Sequence, residues 1–311
     1  MARPLLAATA ILLAACESMP LDPPAPPSAR RVDPAAATLL SAGGRAFTFT
    51  TIEVPGARAT TAWGINARGD IVGSYVDANG ASHGFLLQGG VFTTIDQPGA
   101  DGSQARGIGP NGEIVGIYSN DEEPAVNAHG FLRTPDGEFL AADYPGHINT
   151  IPQRLLPDGT ILGCRHDTDL MASMRGIALS RHGASEIDAF ASMHNGATPD
   201  LRRIAGLYTN MTVTPTRTEG YIIDDGVFTA FLVPGSSMTA AWDVSPSGDV
   251  VGVYRDGTGF HGFLLSAEGY LPIDVPGATA TRAFGTNARG DVVGAYVAGG
   301  RTFGFVGRRG P

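Results

Sequence analysis

The feature that most constrains this 311-residue chain is an internal repeat that begins at residue 47. Residues 47–87 read FTFTTIEVPGARATTAWGINARGDIVGSYVDANGASHGFLL, and residues 270–306 read YLPIDVPGATATRAFGTNARGDVVGAYVAGGRTFGFV. Copies that start at Phe92 and Phe228 are also clear, and two degraded copies lie between them. Repeats of this length with several short strands are typical of radial or stacked β architectures.

Glycines mark the period, and turn residues divide each copy into four strands. The glycine before each opening strand recurs at Gly44, Gly90, Gly137, Gly183, Gly226, Gly269 and Gly310, which gives six periods. Short apolar segments stop at turn dipeptides such as Asn79-Gly80 and Gly89-Gly90, and the second of these suits a two-residue hairpin. The sequence therefore predicts an all-β fold, a six-bladed β-propeller of four-stranded antiparallel blades.

The phase of the repeat predicts how the ring closes. The repeat domain begins with the strand that follows a hairpin, and it ends where that same strand would next be due. Residues 47–54 are therefore expected to complete the last blade by pairing with residues 301–307, which would cover two open sheet edges. An open solenoid does not need complementary ends, so we predict a propeller closed by pairing of the N- and C-terminal strands.

The amino-acid sequence of the repeat unit resembles the HAF-type extracellular repeat of secreted bacterial proteins. The resemblance rests on four short motifs: Thr93-Thr94-Ile95-Asp96, Gly64-Ile65-Asn66, Gly69-Asp70-Ile71-Val72-Gly73 and His83-Gly84-Phe85. The resemblance covers about residues 47–306 and is weak in the third and fourth copies. It implies exported, repetitive β structure, and because that family has no established reaction, it supplies no catalytic residues.

The N-terminus has the layout of an export signal. An apolar run follows Arg3 and reaches Leu13-Ala14-Ala15-Cys16; it is too short for a stable bilayer span and fits a signal peptide over residues 1–15. Small residues before a cysteine resemble a bacterial lipobox, which implies lipidation of Cys16 and attachment to a membrane. An ordinary signal peptide that happens to contain a cysteine is the alternative.

Domain boundaries and location follow from this N-terminus. Residues 16–44, rich in Pro and Ala, read as a tether that cannot bury enough apolar surface to fold, and residues 45–311 form the propeller domain. Glu17 after the cysteine favours, by the same resemblance, the outer membrane. We therefore expect a lipid-anchored cell-envelope protein that faces the periplasm or the exterior.

Composition excludes several classes of function. The net charge of −9 argues against a nucleic-acid partner. The chain contains no lysine, which removes Schiff-base chemistry and lysine-dependent phosphate loops. Two G-x-G-x-x-G matches begin at Gly107 and Gly257, but both fall in predicted blade turns without a following helix, so no cofactor is predicted.

Departures from the repeat provide a candidate ligand site. The Gly64 position reads, copy by copy, Gly64, Gly107, Arg154, Ala197, Asp243 and Gly285. The preceding position reads Trp63, Arg106, Gln153, Gly196, Trp242 and Phe284. If this strand is innermost, Trp63, Arg106, Arg154, Trp242 and Asp243 lie near the channel mouth and could bind a small anionic or carbohydrate ligand. A structural Arg154–Asp243 pair between blades is the alternative.

Histidines offer a second candidate. Cys164-Arg165-His166-Asp167 replaces Ser74-Tyr75-Val76-Asp77 of the first copy, and Asp169 follows. His166, Asp167 and Asp169 could bind a metal or transfer protons, although sequence drift in a non-essential blade would look the same. His83, His129 and His261 recur at one blade position, so we expect them to be structural.

These observations leave three functions open. The first is a non-catalytic binding or scaffold module that uses the propeller loops and channel mouth to hold a small ligand or an envelope protein. The second is a hydrolase or lyase with its site at the propeller axis, which would bring Arg154, Asp243 and a histidine within hydrogen-bond reach of one another. The third is a purely structural envelope protein with its axis filled by side chains.

Overall fold

The structure is a computed structural model of the chain, and it describes residues 47–120, 128–169, 173–186 and 191–309. These residues form 24 β-strands. Within them, no helix has the length and hydropathy needed to cross a bilayer. The expected signal peptide, Cys16 and the Pro-rich tether lie outside the described residues, so the domain boundaries stay predictions.

The strands fall into four positions within each repeat. The first strands are β2 (Ala59–Ile65), β6 (Gly102–Ile108), β10 (Asn149–Leu155), β14 (Ser192–Ala197), β18 (Met238–Val244) and β22 (Ala280–Thr286). The second strands are β3 (Ile71–Val76), β7 (Ile114–Ser119), β11 (Ile161–His166), β15 (Arg203–Asn210), β19 (Val250–Arg255) and β23 (Val292–Ala298). The third strands are β4 (Ser82–Gln88), β8 (His129–Arg133), β12 (Arg175–Ser180), β16 (Arg217–Asp224), β20 (Phe260–Ser266) and β24 (Arg301–Arg309). The fourth strands are β5 (Val91–Ile95), β9 (Phe139–Ala141), β13 (Gly183–Glu186), β17 (Val227–Phe231), β21 (Gly269–Ile273) and β1 (Phe47–Ile52).

These strands form a propeller-like arrangement of four-stranded antiparallel blades. Four sheets are separate, β6–β9, β10–β13, β14–β17 and β18–β21, and the other eight strands form one sheet. The predicted four-stranded antiparallel blades are thus present, but four separate sheets are found where six blades were predicted. The reason is a single parallel bridge between Ala59 and Thr302, which joins β2 to β24.

The first strand of the domain pairs with the last. β1 lies antiparallel to β24, in a register that runs from Phe47 opposite Arg309 to Ile52 opposite Gly304. The pairing partner was expected from the repeat phase, but the register lies further toward the C-terminus than predicted. Ile52 is 4% exposed and packs in a core cluster with Val293 and Val306. The chain's two distant ends thus share one hydrophobic core.

Every first strand carries a β-bulge at the same place. The register shifts occur between Ala62 and Gly64 and at the equivalent positions of β6, β10, β14, β18 and β22. Opposite each bulge the second strand has a glycine: Gly73, Gly116, Gly163, Gly206, Gly252 and Gly294. A Cβ on Gly252 would collide with the Ala240 carbonyl and come within 2.6 Å of the Phe263 ring. Glycine is therefore required by close approach, and this explains the Val-Gly step of the repeat.

Bulges bring neighbouring first strands together. A Cβ on Gly64 would lie 2.8 Å from the Arg106 carbonyl, and one on Gly107 would lie 2.8 Å from the Gln153 carbonyl. A Cβ on Gly285 would lie 2.8 Å from the Trp63 carbonyl. The first strands are thus the innermost strands, as the repeat phase predicts, and their bulged residues lie side by side.

Three arginines near the turns that follow the first strands connect one blade to the next: Arg68 and Arg289 lie in these turns, and Arg203 begins β15. Arg68 donates to the Pro110 carbonyl at 2.7 Å, and Arg203 donates to the Gly248 carbonyl at 2.8 Å. Arg289 makes the same contact with the Ala67 carbonyl. Each guanidinium also pairs with a carboxylate of its own blade, so the turns fasten adjacent sheets along one face.

We expect Gly252→Ala to lower the free energy of unfolding by at least about 2 kcal/mol, because the added methyl overpacks a site with no room. Gly257→Ala is the matched control, since a Cβ there meets nothing within 4 Å, and its effect should stay within about 0.5 kcal/mol. Urea unfolding measures both. Equal effects of the two substitutions would contradict the close approach.

Ile52→Ala should lower the free energy of unfolding by about 2–5 kcal/mol, because it opens a cavity between β1 and the core it shares with β24. Thr50→Ala, at an exposed position of the same strand, should cost about 1 kcal/mol or less. Should Ile52→Ala prove as mild as its control in chemical denaturation, β1 would not be packed as described.

Candidate functional site

The residues at the six bulges line the axis. They are Trp63, Arg106, Gln153, Asn195, Trp242 and Phe284. The sequence comparison placed Gly196 and Ala197 at this site in the fourth copy, which is wrong by one residue. The pairing of β14 with β15 shifts between His194 and Gly196, so Asn195 is the bulged residue. Sequence drift in that copy had removed the motif that would have fixed the register.

Arg154 and Asp243 lie one residue beyond the bulge, where the other four repeats have glycine. The Arg154 Nε is 3.0 Å from the Asp243 Oδ2, and both residues are buried. The glycines leave the space that these two side chains fill, since a Cβ on Gly196 would lie 2.5 Å from the Asp243 carboxylate. The structural Arg–Asp pair between blades is therefore present.

Backbone groups complete the hydrogen bonding of this pair. Arg154 donates to the carbonyl groups of Gln153 and Arg106, at 2.7 and 3.2 Å, and to the carbonyl of Phe284. The Asp243 carboxylate accepts the backbone N–H groups of Val244 and Thr286, both at 2.9 Å. Burial raises the pKa of Asp243 above its usual range, while Arg154 and these N–H groups oppose that rise. The pair thus connects first strands from several blades.

Three aromatic rings fill the axis next to this pair. The ring centroids of Trp63 and Phe284 are 4.3 Å apart, those of Trp242 and Phe284 are 5.1 Å apart, and those of the two tryptophans are 5.8 Å apart. The Trp63 indole N–H donates to the Ser74 hydroxyl at 3.0 Å. Because these rings come from three different repeats, no local sequence pattern reveals that they touch.

Arg106 stands against this aromatic cluster, and no carboxylate of the described residues pairs with it. Its guanidinium carbon lies 4.0 Å from the centroid of the Trp63 ring, a cation–π geometry. Its Nε is buried and accepted by no group in the described part of the chain. Burial lowers the pKa of Arg106 to about 10, so the side chain stays cationic at neutral pH. Of the five predicted ligand residues, Arg106 is the one whose charge is left uncompensated.

Arg282 is a second cation without an ion-pair partner among residues 47–120, 128–169, 173–186 and 191–309, and the sequence did not single it out. Its guanidinium carbon lies 4.3 Å from the centroid of the Phe260 ring, and Phe260 packs in the same cluster as Trp63, Trp242 and Phe284. Burial lowers the pKa of Arg282. The signal was available, because Arg282 takes the place of Thr61 between copies that otherwise match closely.

A shallow cavity opens at the turn side of the axis. It has a volume of about 160 Å³, and Arg154 and Asp243 contribute to its lining. Each repeat contributes one alanine or proline to its rim: Ala67, Pro110, Pro157, Pro199, Pro246 and Ala288. The rim is rigid and largely apolar, and the only charges in its lining belong to the ion pair.

The candidate residues His166, Asp167 and Asp169 contact different partners in the structure. His166 is buried, and its Nδ1 lies 3.1 Å from the Asp167 carbonyl, whereas the Asp167 carboxylate pairs with His147 at 3.0 Å. That hydrogen bond lowers the pKa of Asp167. The Asp169 carbonyl accepts the Ser173 N–H at 2.9 Å. Across the four described ranges no group of three His, Cys, Asp or Glu side chains is arranged to hold a metal, and the metal or proton-transfer role stays a prediction.

The recurring histidines form one repeated contact. His83 pairs with Asp96 at 2.8 Å and His261 with Asp274 at 3.0 Å, and each ring stacks on a tyrosine of the second strand, Tyr75 or Tyr254. Asp96 also accepts the N–H of Gly84. These contacts join the third strand to the end of the fourth, as expected for a structural residue.

Comparison with known proteins establishes the fold and nothing finer. No protein-family model and no curated protein matches the chain. A structure of TolB from Acinetobacter baumannii is 16% identical, with a TM-score of 0.50, over 73% of this chain and 55% of that one; this chain thus spans about half of that protein. A protein assigned as TolB from Agrobacterium tumefaciens is 13% identical, with a TM-score of 0.55, over 86% and 100% of the two chains. The β-propeller domain of the Trilobed protease from Pyrococcus furiosus, described as having an open velcro topology, is 9% identical, with a TM-score of 0.50, over 81% and 97%. The chain is a β-propeller repeat protein.

Proposed function

We propose that this chain is a lipid-anchored envelope protein whose closed, six-bladed propeller binds an anionic ligand at its axis without transforming it. The anchor would be Cys16, the tether residues 16–44, and the location the periplasmic or outer face of the outer membrane. This part rests on the lipobox-like Leu13-Ala14-Ala15-Cys16 and on the HAF-like phrases of the repeat.

Support for six blades in a closed ring comes from strand pairing and from contacts between the first and last repeats near the axis. The eight-stranded sheet consists of two four-stranded antiparallel sets held together by one bridge, β22-β23-β24-β1 and β2-β3-β4-β5. Counting those sets separately gives six blades, each with a bulged first strand. The contact of Gly285 with the Trp63 carbonyl and the Arg289 hydrogen bond to Ala67 favour a last blade that adjoins the first.

The observation that carries the binding proposal is the uncompensated charge of Arg106. A guanidinium presents directed N–H donors and remains charged when buried, so a cation without a carboxylate partner favours an anion beside it. Trp63 and Trp242 would flank such a ligand, and Arg282 adds positive potential at the edge of the same cluster. Arg154 and Asp243 would support the site, because each already neutralises the other.

Access would be from the face opposite the arginine-fastened turns. Two residues before five of the six bulges the side chain is partly exposed, at Thr61, Gln104, Ile151, Met193 and Arg282, whereas Ala240 at the sixth is buried. On the face formed by the turns, the Arg154–Asp243 ion pair would block access of a ligand to the axis. A small anion is therefore favoured over a carbohydrate, whose binding would need an open aromatic platform.

The two alternatives differ in what they require. A hydrolase or lyase at the axis needs an acid or base free to exchange protons, but Asp243 is engaged by Arg154 and two backbone N–H groups, and His166 contacts the Asp167 carbonyl. Nothing among the described residues favours catalysis over binding. A purely structural role would leave Arg106 as a packing residue, and the first experiment below separates these cases.

Inorganic phosphate should raise the midpoint of thermal unfolding steadily with the logarithm of its concentration, and it should add about 2.7 kcal/mol of stability when its concentration is about a hundred times Kd. Arg106→Met should abolish the shift while the protein stays folded, and Arg202→Met, which removes an exposed arginine paired with Asp225, should leave it intact. Chloride at matched ionic strength is the salt control. If neither phosphate nor propionate stabilises the wild-type chain, the anion site does not exist.

Arg154→Met should lower the free energy of unfolding by about 3–5 kcal/mol, because it leaves the buried Asp243 carboxylate without its countercharge. The loss should be greater at alkaline than at mildly acidic pH: the folded-state pKa of Asp243 is raised, so the folded chain binds more protons than the unfolded chain and its stability falls as pH rises. Arg154→Met with Asp243→Asn should be more stable than Arg154→Met alone. A double variant as unstable as the sum of the two single variants would show that the charges are not coupled.

A further inference from the structure

Two buried amide oxygens in the two repeats that follow that of Arg106 have no hydrogen-bond partner within the described part of the chain. They are Gln153 Oε1 and Asn195 Oδ1, and the two residues are 2% and 0% exposed. Buried acceptors are nearly always satisfied in folded proteins, so each unpaired one calls for an explanation. Here the explanation must account for two acceptors in adjacent repeats.

The orientation of both amides is fixed by the other end of the group. The Asn195 Nδ2 donates to the Ala241 carbonyl at 2.7 Å, and the Gln153 Nε2 donates to the Met193 sulfur at 3.4 Å. Rotating either amide would place its oxygen against another acceptor. Both oxygens are therefore held as acceptors with nothing to accept from.

Arg106, Gln153 and Asn195 occupy the bulge of three consecutive first strands, β6, β10 and β14. The strand that carries the cationic donor is thus followed by two strands that each carry a neutral acceptor at the same bulge position, while Trp63, Trp242 and Phe284 pack together at the other three bulges. Gln104 Oε1, two residues before Arg106 on the same strand, is a further unpaired acceptor. The polar side can satisfy a negative group and, beside it, hydrogen-bond donors.

Resting on the anion site proposed above, we propose that the ligand is a small carboxylate whose adjacent carbon carries an N–H or O–H donor, an α-amino or α-hydroxy acid. The carboxylate takes the N–H donors of Arg106. The ammonium or hydroxyl group donates to Gln153 Oε1 and Asn195 Oδ1. A simple carboxylate, such as acetate or propionate, satisfies the arginine and leaves both amide oxygens unpaired.

Three molecules of nearly equal size test this assignment: propionate, lactate and alanine differ only in a hydrogen, a hydroxyl or an ammonium on one carbon. Isothermal titration calorimetry of the full chain should give lactate or alanine at least about tenfold tighter binding than propionate, because hydrogen bonds made by buried groups discriminate at this scale. The better of the two identifies whether the donor is O–H or N–H.

A substitution of Gln153 tests whether its amide causes the preference for lactate or alanine over propionate. Gln153→Met keeps the size of the side chain and removes one acceptor, so the advantage of lactate or alanine over propionate should shrink several-fold while propionate affinity is retained. Gln88→Met, at an exposed position at the end of β4, is the control and should change neither value. Thermal unfolding verifies that each variant is folded.

The outcomes separate this inference from the proposed function. If all three acids bind alike and binding is lost in Arg106→Met, the anion site stands and the donor requirement is wrong. If the preference exists but survives in Gln153→Met, the amide assignment is wrong. If none of the three binds while phosphate still stabilises the chain, the anion site stands and the carboxylate class is wrong; if phosphate has no effect either, both proposals fail.

Discussion

The close approach of the six first strands is the constraint on which the rest of the structure depends. Each strand bulges at one residue, and a glycine opposite the bulge lets the second strand move in where any Cβ would collide with a carbonyl group. The bulge increases local twist and re-aims one side chain. Six such side chains therefore project toward the axis, and their identities set what the centre of the molecule can do.

At that centre, charge is distributed unequally. Arg154 and Asp243 stand where the other four repeats have glycine, and they pair with each other and hydrogen-bond to backbone groups from several repeats. Replacing one glycine alone by a charge would be costly, whereas the pair is tolerable because each partner offsets the desolvation of the other. Arg106 and Arg282 instead contact aromatic rings, and within the described ranges neither pairs with a carboxylate. The same ring thus contains one structural ion pair and two cations that fit a ligand-binding role.

The periphery shows how repeated polar residues serve the fold. Histidine–aspartate pairs stack on tyrosines in three repeats, and turn arginines connect neighbouring blades through carbonyl groups. Such contacts recur because every blade must join equivalent strands and neighbours in the same way. A function that needs one site per molecule is found instead where the repeats differ, and this is why the central residues carry the proposals.

The repeat in the sequence determined the all-β propeller, the four strands per copy and the pairing of the first strand with the last. It did so because a local pattern of glycines and β-branched residues fixes local strands, and identical units must pack identically. Sequence also singled out Arg154 and Asp243 as departures from the repeat, but it could not decide between a ligand clamp and an ion pair, since that depends on the distance between two different blades. The sheet count, the place of Asn195, the contact of three rings from three repeats, and the unpaired state of Arg106 beside two buried amides were decided only by the tertiary structure, because each depends on contacts between residues distant in the chain.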